Sequence, residues 1–237
     1  MSKSAIIFPG QGSQKAGMGK ALYDASAECK AIFEKGDEVL GRPISTICFE
    51  GPQDELTQTY NAQPGIFLVS IALYTLLKQE GITPSFVAGH SLGEITAYVA
   101  AGVIDLETGL KIIDKRGQAM ANAHPSEDSA MAAVMGVQEK ELRSQMDEFK
   151  EEPVVLANLN SPNQIVISGT KNGIAKAIEK LKSNGAKVIP LNVSGAFHSP
   201  LMTKASEELA EFIAPITFNN AEVPVILNRT AQPELNA

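Results

Sequence analysis

A short apolar run, Phe86-Val87-Ala88, opens directly into Gly89-His90-Ser91-Leu92-Gly93, and Ile95, Val99 and Val103 then recur at helical spacing. Few arrangements accept that order. A buried strand has to turn into a helix within a handful of residues. Glycines at both ends of the turn let the two backbones approach where a Cβ would collide. Strand–turn–helix units of this kind build α/β proteins with a largely parallel sheet. Ala5 to Phe8, ending at Pro9-Gly10, reads as a companion strand. Ile66, Val69, Leu73 and Leu76-Leu77 mark a helix that Gly81 and Pro84 break.

The middle of the chain has another rhythm. Ala130 to Val137, Val154 to Leu159, Ile165 to Ser168 and Val188 to Val193 read as strands. Leu142, Met146 and Phe149 mark one helix, and Ile174, Ile178 and Leu181 a second, with Thr170 as its cap and Gly185 as its stop. The order β-α-β-β-α-β is that of ferredoxin-like units. The expected architecture is an α/β core over residues 1–125 and 193–237, with a ferredoxin-like subdomain at 126–192 inserted into it.

Composition removes several function classes. The net charge of −7, with no block of Lys or Arg, argues against a nucleic-acid binder, which needs to neutralise phosphates. The cysteines, Cys29 and Cys48, have no paired spacing, so neither a disulfide framework nor a zinc site is expected. The apolar run near the N-terminus is too short for a signal peptide, and no stretch reads as long and apolar enough to span a bilayer. A cytoplasmic protein with no membrane partner is the expectation.

Gly89, Ser91 and Gly93 fit the Gly-x-Ser-x-Gly nucleophile elbow, in which a sharp turn exposes a strained serine. The helix that follows points its free N–H groups at the site, with Leu92 as the natural first donor to an oxyanion. A helix-starting turn with glycines for packing is the plain alternative. The loop Pro9-Gly10-Gln11-Gly12-Ser13-Gln14 has neither a dinucleotide nor a phosphate-loop spacing, because Lys15 stands where the third glycine belongs and Gly19-Lys20 is followed by Ala21. It lies at the carboxyl end of a strand, where open α/β sheets hold ligands. The Gln11 N–H is therefore a candidate second oxyanion donor, and a plain connecting loop is the other reading.

Three histidines are candidates for a base. His90 adjoins the serine and is better suited to shaping the site. His124 lies in a polar, proline-containing stretch. His198 precedes Ser199-Pro200, an N-cap and first helical residue, and is the best base by elimination; a histidine that simply satisfies a turn is the other reading. The positive helix end would help keep it neutral. Arg116 shares a helix face with Leu110, Ile113, Gly117 and Met120, on a helix expected from about Glu107 to Ala121. An inward guanidinium needs acceptors, either a protein acid or a substrate carboxylate held by two parallel hydrogen bonds.

Taken together, Phe8 to Gln14, Gly89 to Glu94, the helix of Arg116 and Gly195-Ala196-Phe197-His198-Ser199-Pro200 resemble the malonyl-CoA:acyl-carrier-protein transacylases, in that family's order. Gln63-Pro64 and Asn160-Ser161-Pro162 look like further signatures. The resemblance implies a hydrolase-like α/β core with a ferredoxin-like insert. It implies Ser91 as nucleophile, His198 as base, Gln11 and Leu92 as the oxyanion hole, and Arg116 as the clamp on the malonyl carboxylate. Gln63, Phe197 and Met120 are taken with Arg116 as substrate-binding positions, Phe197 resembling the malonyl-selective form. The implied substrate is a coenzyme A thioester, the partner is acyl carrier protein, and no metal or redox cofactor is called for. The family's chains continue past the position of Ala237, and its histidine is oriented by a backbone carbonyl further on. A core short of its C-terminal part is therefore expected. A thioester hydrolase on the same elbow, or a shortened non-catalytic carrier-binding copy, are the rival readings.

Overall fold

The computed structural model describes residues 3–149 and 152–236. Met1, Ser2 and Ala237, the ends of the expected core, lie outside the described residues. In chain order the elements begin with β1 (Ala5–Phe8), α1 (Lys20–Ala25), α2 (Ala27–Leu40), α3 (Ile44–Glu50), α4 (Gln53–Thr57) and α5 (Thr59–Gln79). They continue with β2 (Phe86–Gly89), α6 (Leu92–Ala100), α7 (Leu106–Asn122), β3 (Ser129–Met135), α8 (Glu139–Met146) and β4 (Val154–Ser161). The last are β5 (Gln164–Thr170), α9 (Lys171–Ser183), β6 (Lys187–Pro190), α10 (Thr203–Ile213), β7 (Val225–Ile226) and β8 (Pro233–Glu234). Contacts group the chain into two units. One is formed by the residues up to Gln118 and from Glu211 onward, the other by Ala119–Ala210. The second grouping is wider than the 126–192 read from the pattern of elements.

The first unit holds a mixed sheet of order β1-β2-β7-β8. β1 and β2 run parallel, from Ala5 opposite Phe86 to Phe8 opposite Gly89. β2 and β7 are also parallel, Val87 opposite Val225 and Ala88 opposite Ile226, while β8 turns back antiparallel on β7. Helices α2, α3, α5, α6 and α7 close a core around Phe33, Phe67, Leu68, Leu92, Leu110 and Ile113. α2 starts where the Ser26 side chain accepts the Cys29 N–H, 3.2 Å, and ends at Gly41 in the left-handed conformation.

One expectation needs correction here. α5 is, by length and composition, long and apolar enough to cross a membrane. Its packing supplies another reason for that composition: two thirds of its most apolar window is buried inside the protein, against α2, α3, α4 and α6. A helix covered on most of its sides has to be apolar on most of its sides. Its first turns depart from this rule, since Thr59, Asn61 and Gln63 are buried there at 1 %, 2 % and 0 % exposure.

The second unit runs β3-α8-β4-β5-α9-β6, and its sheet, of order β4-β5-β3-β6, is antiparallel at every pairing. The alternation of side chains along a strand serves both faces. Ile165 and Ile167 join Val134, Leu142, Ile174 and Leu181 under α8 and α9. Val166 joins Met131, Ala133, Met120, Phe197 and Met202 on the other face. Thr170 does cap α9, accepting the Gly173 N–H at 3.0 Å, and Gly185 follows the helix at φ 85°.

Two strands are shorter than their apolar runs. β3 ends at Met135, because Gly136 takes a positive φ of 80°. β6 ends at Pro190 and does not reach Val193. Proline offers no N–H to extend the ladder. Leu191 donates once more, to the Met131 carbonyl, and Val193 then folds back onto the Leu191 carbonyl.

Candidate active site

The elbow forms where three backbones crowd together. Ser91 has φ 54° and ψ −105°, a conformation that non-glycine residues adopt only when the surroundings enforce it. The surroundings do enforce it. A Cβ on Gly89 would stand 1.8 Å from the Gly93 carbonyl carbon, and one on Gly93 would stand 2.4 Å from the Phe8 carbonyl oxygen. The ends of β1 and β2 and the start of α6 therefore meet at atomic contact. The His90 N–H bonds the Phe8 carbonyl at 3.0 Å, and the Gly93 N–H bonds the His90 carbonyl at 3.0 Å. Gly89→Ala is expected to destroy this turn. Labelling of Ser91 by a serine-directed fluorophosphonate should then fall to background, and wild-type labelling would mean that the turn relaxes freely.

A polar network reaches the serine from α7 and α5. On α7, Arg116 donates through one terminal nitrogen to Ser91 Oγ at 2.8 Å and through the other to Gln63 Oε1 at 2.7 Å. Gln63, on α5, points its amide nitrogen at Gln11 Oε1 at a long 3.5 Å, and Gln11 donates to Thr59 Oγ1 at 3.1 Å. Both of these acceptors of Arg116 are neutral. Part of the arginine side chain still reaches solvent, but the protein around it pushes the guanidinium's pKa down to about 10, with the Glu94 carboxylate opposing. The group thus stays cationic at neutral pH, one hydrogen bond from the serine oxygen. The close approach of α7 to α5 depends on Gly117, where a Cβ would sit 3.0 Å from Tyr60 Cα.

The structure gathers Ser91, Leu92, Gln11, Gln63 and Arg116 in the first unit. His198, Phe197 and Met120 belong to the second. There, Phe197 and Met120 are buried in one apolar cluster. His198 has a positive φ of 57° and an exposed side chain. It is followed by Ser199, which caps the 3₁₀ turn Pro200–Met202 by accepting the Leu201 N–H at 3.2 Å. That turn leads into α10. His124 faces Ser129 Oγ at 3.1 Å and the Pro125 carbonyl at 3.2 Å at the entry to β3.

Sequence reasoning missed Asn228. Its side chain accepts the Ser91 N–H at 2.8 Å and donates to the Gly89 carbonyl at 2.6 Å. It missed the role of Glu94 as well, whose Oε1 accepts both the Asn228 N–H and the Tyr98 hydroxyl at 3.1 Å. The available signal was slight: the first of three polar residues, Asn228-Arg229-Thr230, directly after the apolar run Val225-Ile226-Leu227.

A strained serine exposed on a strand–helix turn is an arrangement that acyl-transferring and acyl-hydrolysing enzymes use to present a nucleophile. The chain belongs to the acyl transferase domain family, which it matches over residues 5–237. Within that family it is 49 % identical over 234 residues to the malonyl CoA-acyl carrier protein transacylase of Bacillus subtilis, covering 98 % of this chain and 74 % of that protein. The enzyme of the same description from Synechocystis is 41 % identical over 234 residues, 99 % of this chain and 77 % of that one. Among solved structures, the acyl-carrier-protein-S-malonyltransferase of Bartonella henselae superimposes with a TM-score of 0.95 at 37 % identity, over 99 % of this chain and 77 % of its own. A malonyl-transacylase in complex with its type II polyketide acyl-carrier protein also reaches 0.95, at 35 % identity, over 99 % and 77 %.

Proposed function

We propose that this chain transfers a malonyl group from malonyl-CoA to the pantetheine thiol of an acyl carrier protein, through a malonyl ester on Ser91, and so supplies fatty-acid chain elongation. The observation that carries the reading is the guanidinium of Arg116 at 2.8 Å from Ser91 Oγ. An acyl group on that oxygen brings its own substituent to the same place. A free carboxylate, accepting two parallel hydrogen bonds, is the substituent that best replaces Ser91 and Gln63 as acceptors.

In the first half-reaction Ser91 Oγ bonds to the thioester carbon as its proton passes to His198, and the negative charge moves onto the former carbonyl oxygen. The N–H groups of Leu92 and Gln11 receive that charge. Support for Leu92 comes from its neighbours: the N–H groups of Ser91, Gly93 and Glu94 are engaged by Asn228, the His90 carbonyl and the Ser91 carbonyl. The C–S bond then breaks, and His198 returns its proton to the departing coenzyme A sulfur. In the second half-reaction the carrier's thiol attacks the ester, and the same steps run in reverse order. Nothing is oxidised or reduced, so the chemistry asks for no redox cofactor, and in this scheme Ser91, His198 and two backbone N–H groups carry every step without a metal.

Gln63, Phe197 and Met120 complete the substrate-binding positions in this reading. The pairing of Ser91 with His198 is part of the proposal. So is the description of the fold as a hydrolase-like core with a ferredoxin-like insert at 126–192. The all-antiparallel sheet and β-α-β-β-α-β order of the second unit support the latter label. The place of action is the cytoplasm, with no membrane or nucleic acid involved.

Steady-state rates with malonyl-CoA and carrier protein both varied test the scheme. Parallel double-reciprocal lines are expected, and intersecting lines would contradict a free malonyl-enzyme. His198→Ala should slow the formation of that intermediate by roughly 10²–10⁴-fold. An unchanged rate, read by rapid quench and intact mass, would remove His198 from the mechanism.

A further inference from the structure

We propose that Asn228 is a positioning residue for the nucleophile: its side-chain amide clamps the two sides of the elbow and holds Ser91 in its strained conformation. The inference rests on Ser91 being the nucleophile, as argued above. The β2–β7 ladder ends with Ala88 opposite Ile226. Gly89 and Ser91 therefore lie just beyond the last rung, each with a peptide group in need of a partner. Asn228 supplies both partners from one planar group. Its Oδ1 takes the Ser91 N–H at 2.8 Å and its Nδ2 gives a hydrogen to the Gly89 carbonyl at 2.6 Å. In effect the side-chain amide stands in for the next peptide of a longer strand.

The clamp is itself anchored. Glu94, in the first turn of α6, accepts the Asn228 N–H at 3.1 Å, and the Tyr98 hydroxyl fixes the same carboxylate oxygen at 3.1 Å. Strand end, turn and helix start are thereby joined through one residue that lies 137 positions from the serine in sequence. Alanine removes both contacts. Aspartate keeps the acceptor for Ser91 but turns a second carboxylate oxygen toward the Gly89 carbonyl, unless it is protonated. Asn228 is exposed, so its replacement deletes no core packing.

Formation of the malonyl-enzyme by the full chain, followed by rapid quench and intact mass across a range of pH, is the test. Asn228→Ala is expected to lower the maximal acylation rate about 100-fold, the scale of a nucleophile displaced by about 1 Å, with little change in the malonyl-CoA concentration at half-maximal rate. The rate of Asn228→Asp, divided by that of the wild type, should rise as pH falls, because the protonated carboxyl regains a donor for Gly89. The neighbouring Glu94 carboxylate raises the new group's pKa while the Ser91 N–H and the Arg116 cation lower it, so the ratio is followed to the acid limit of wild-type activity. The corresponding ratio for Asn228→Ala should stay flat. A wild-type rate in Asn228→Ala, or a loss confined to substrate concentration dependence, overturns the proposal. Should the alanine variant fail to fold, a pH-independent ratio for Asn228→Asp overturns it equally. A wild-type chain that takes up no malonyl group removes the functional reading, and the clamp with it, whereas a reactive wild type beside an equally reactive Asn228→Ala removes the clamp alone.

Discussion

Replacing Arg116 by alanine is expected to shift the preference for malonyl over acetyl donors by at least ~10-fold, the equivalent of the ~1.5–3 kcal/mol in a charge-assisted hydrogen bond. The ratio is the informative quantity. Arg116 also holds Ser91 Oγ and Gln63 Oε1, so its removal slows transfer of every acyl group to some degree. Only the contact with a substrate carboxylate distinguishes malonyl from acetyl. Arg116→Lys retains the charge and loses the planar fork, and should fall between the wild type and alanine. Equal losses for the two donors, measured as kcat/KM, would assign the arginine to holding the serine and not to recognising the substrate.

Replacing Ser91 by alanine should eliminate the covalent intermediate and cost on the order of 10⁶-fold in turnover, the scale seen when an activated serine is removed from a catalytic set. The backbone supports this substitution well, since alanine takes the same φ and ψ at no greater strain than serine. The variant should therefore keep its fold and unfold only slightly below the wild type, by what the Arg116 N–H gives up when Ser91 Oγ is removed. A loss of activity accompanied by a large loss of stability would show the serine holding the turn together. A stable, inactive protein isolates the chemical role of the hydroxyl.

The elbow was legible because the determinants that mark it in the sequence are local, although the Phe8 and Asn228 contacts that complete it are not. An apolar run, two glycines at fixed spacing and a helical repeat lie within twenty or so residues, and each reports on its own neighbours. The same holds for the capping of α9 by Thr170 and for the β-α-β-β-α-β order, whose strands alternate between two apolar faces. Arg116 was legible as a problem, a cation on an apolar face, though not in its solution. Its acceptors, Gln63 and Ser91, lie 53 and 25 residues away. No periodicity announces a pairing at such distances.

Where the sequence went silent, the controlling interactions were distant or the element was too small to leave a pattern. β7 has two residues, and its apolar run is followed by the Asn228 that closes the elbow. The helices α1 to α4 are short or mixed in character and hold their places by packing against α5, so their own periodicity carries little information. The buried Thr59, Asn61 and Gln63 at the start of α5 break the apolar rule of a core helix, because that end of the helix feeds the polar network of Gln11 and Arg116. The shortened β6 depends on Pro190, whose effect on a ladder appears only once the partner strand is known.

The most direct measurement follows malonyl-CoA carrying a labelled malonyl group, mixed with the protein and quenched before any acceptor is added. One malonyl group is expected, located by peptide mapping on the segment holding Ser91, which persists in water and leaves promptly when a pantetheine thiol is supplied. Label on another residue, no label at all, or release to water as fast as to the thiol would contradict that expectation.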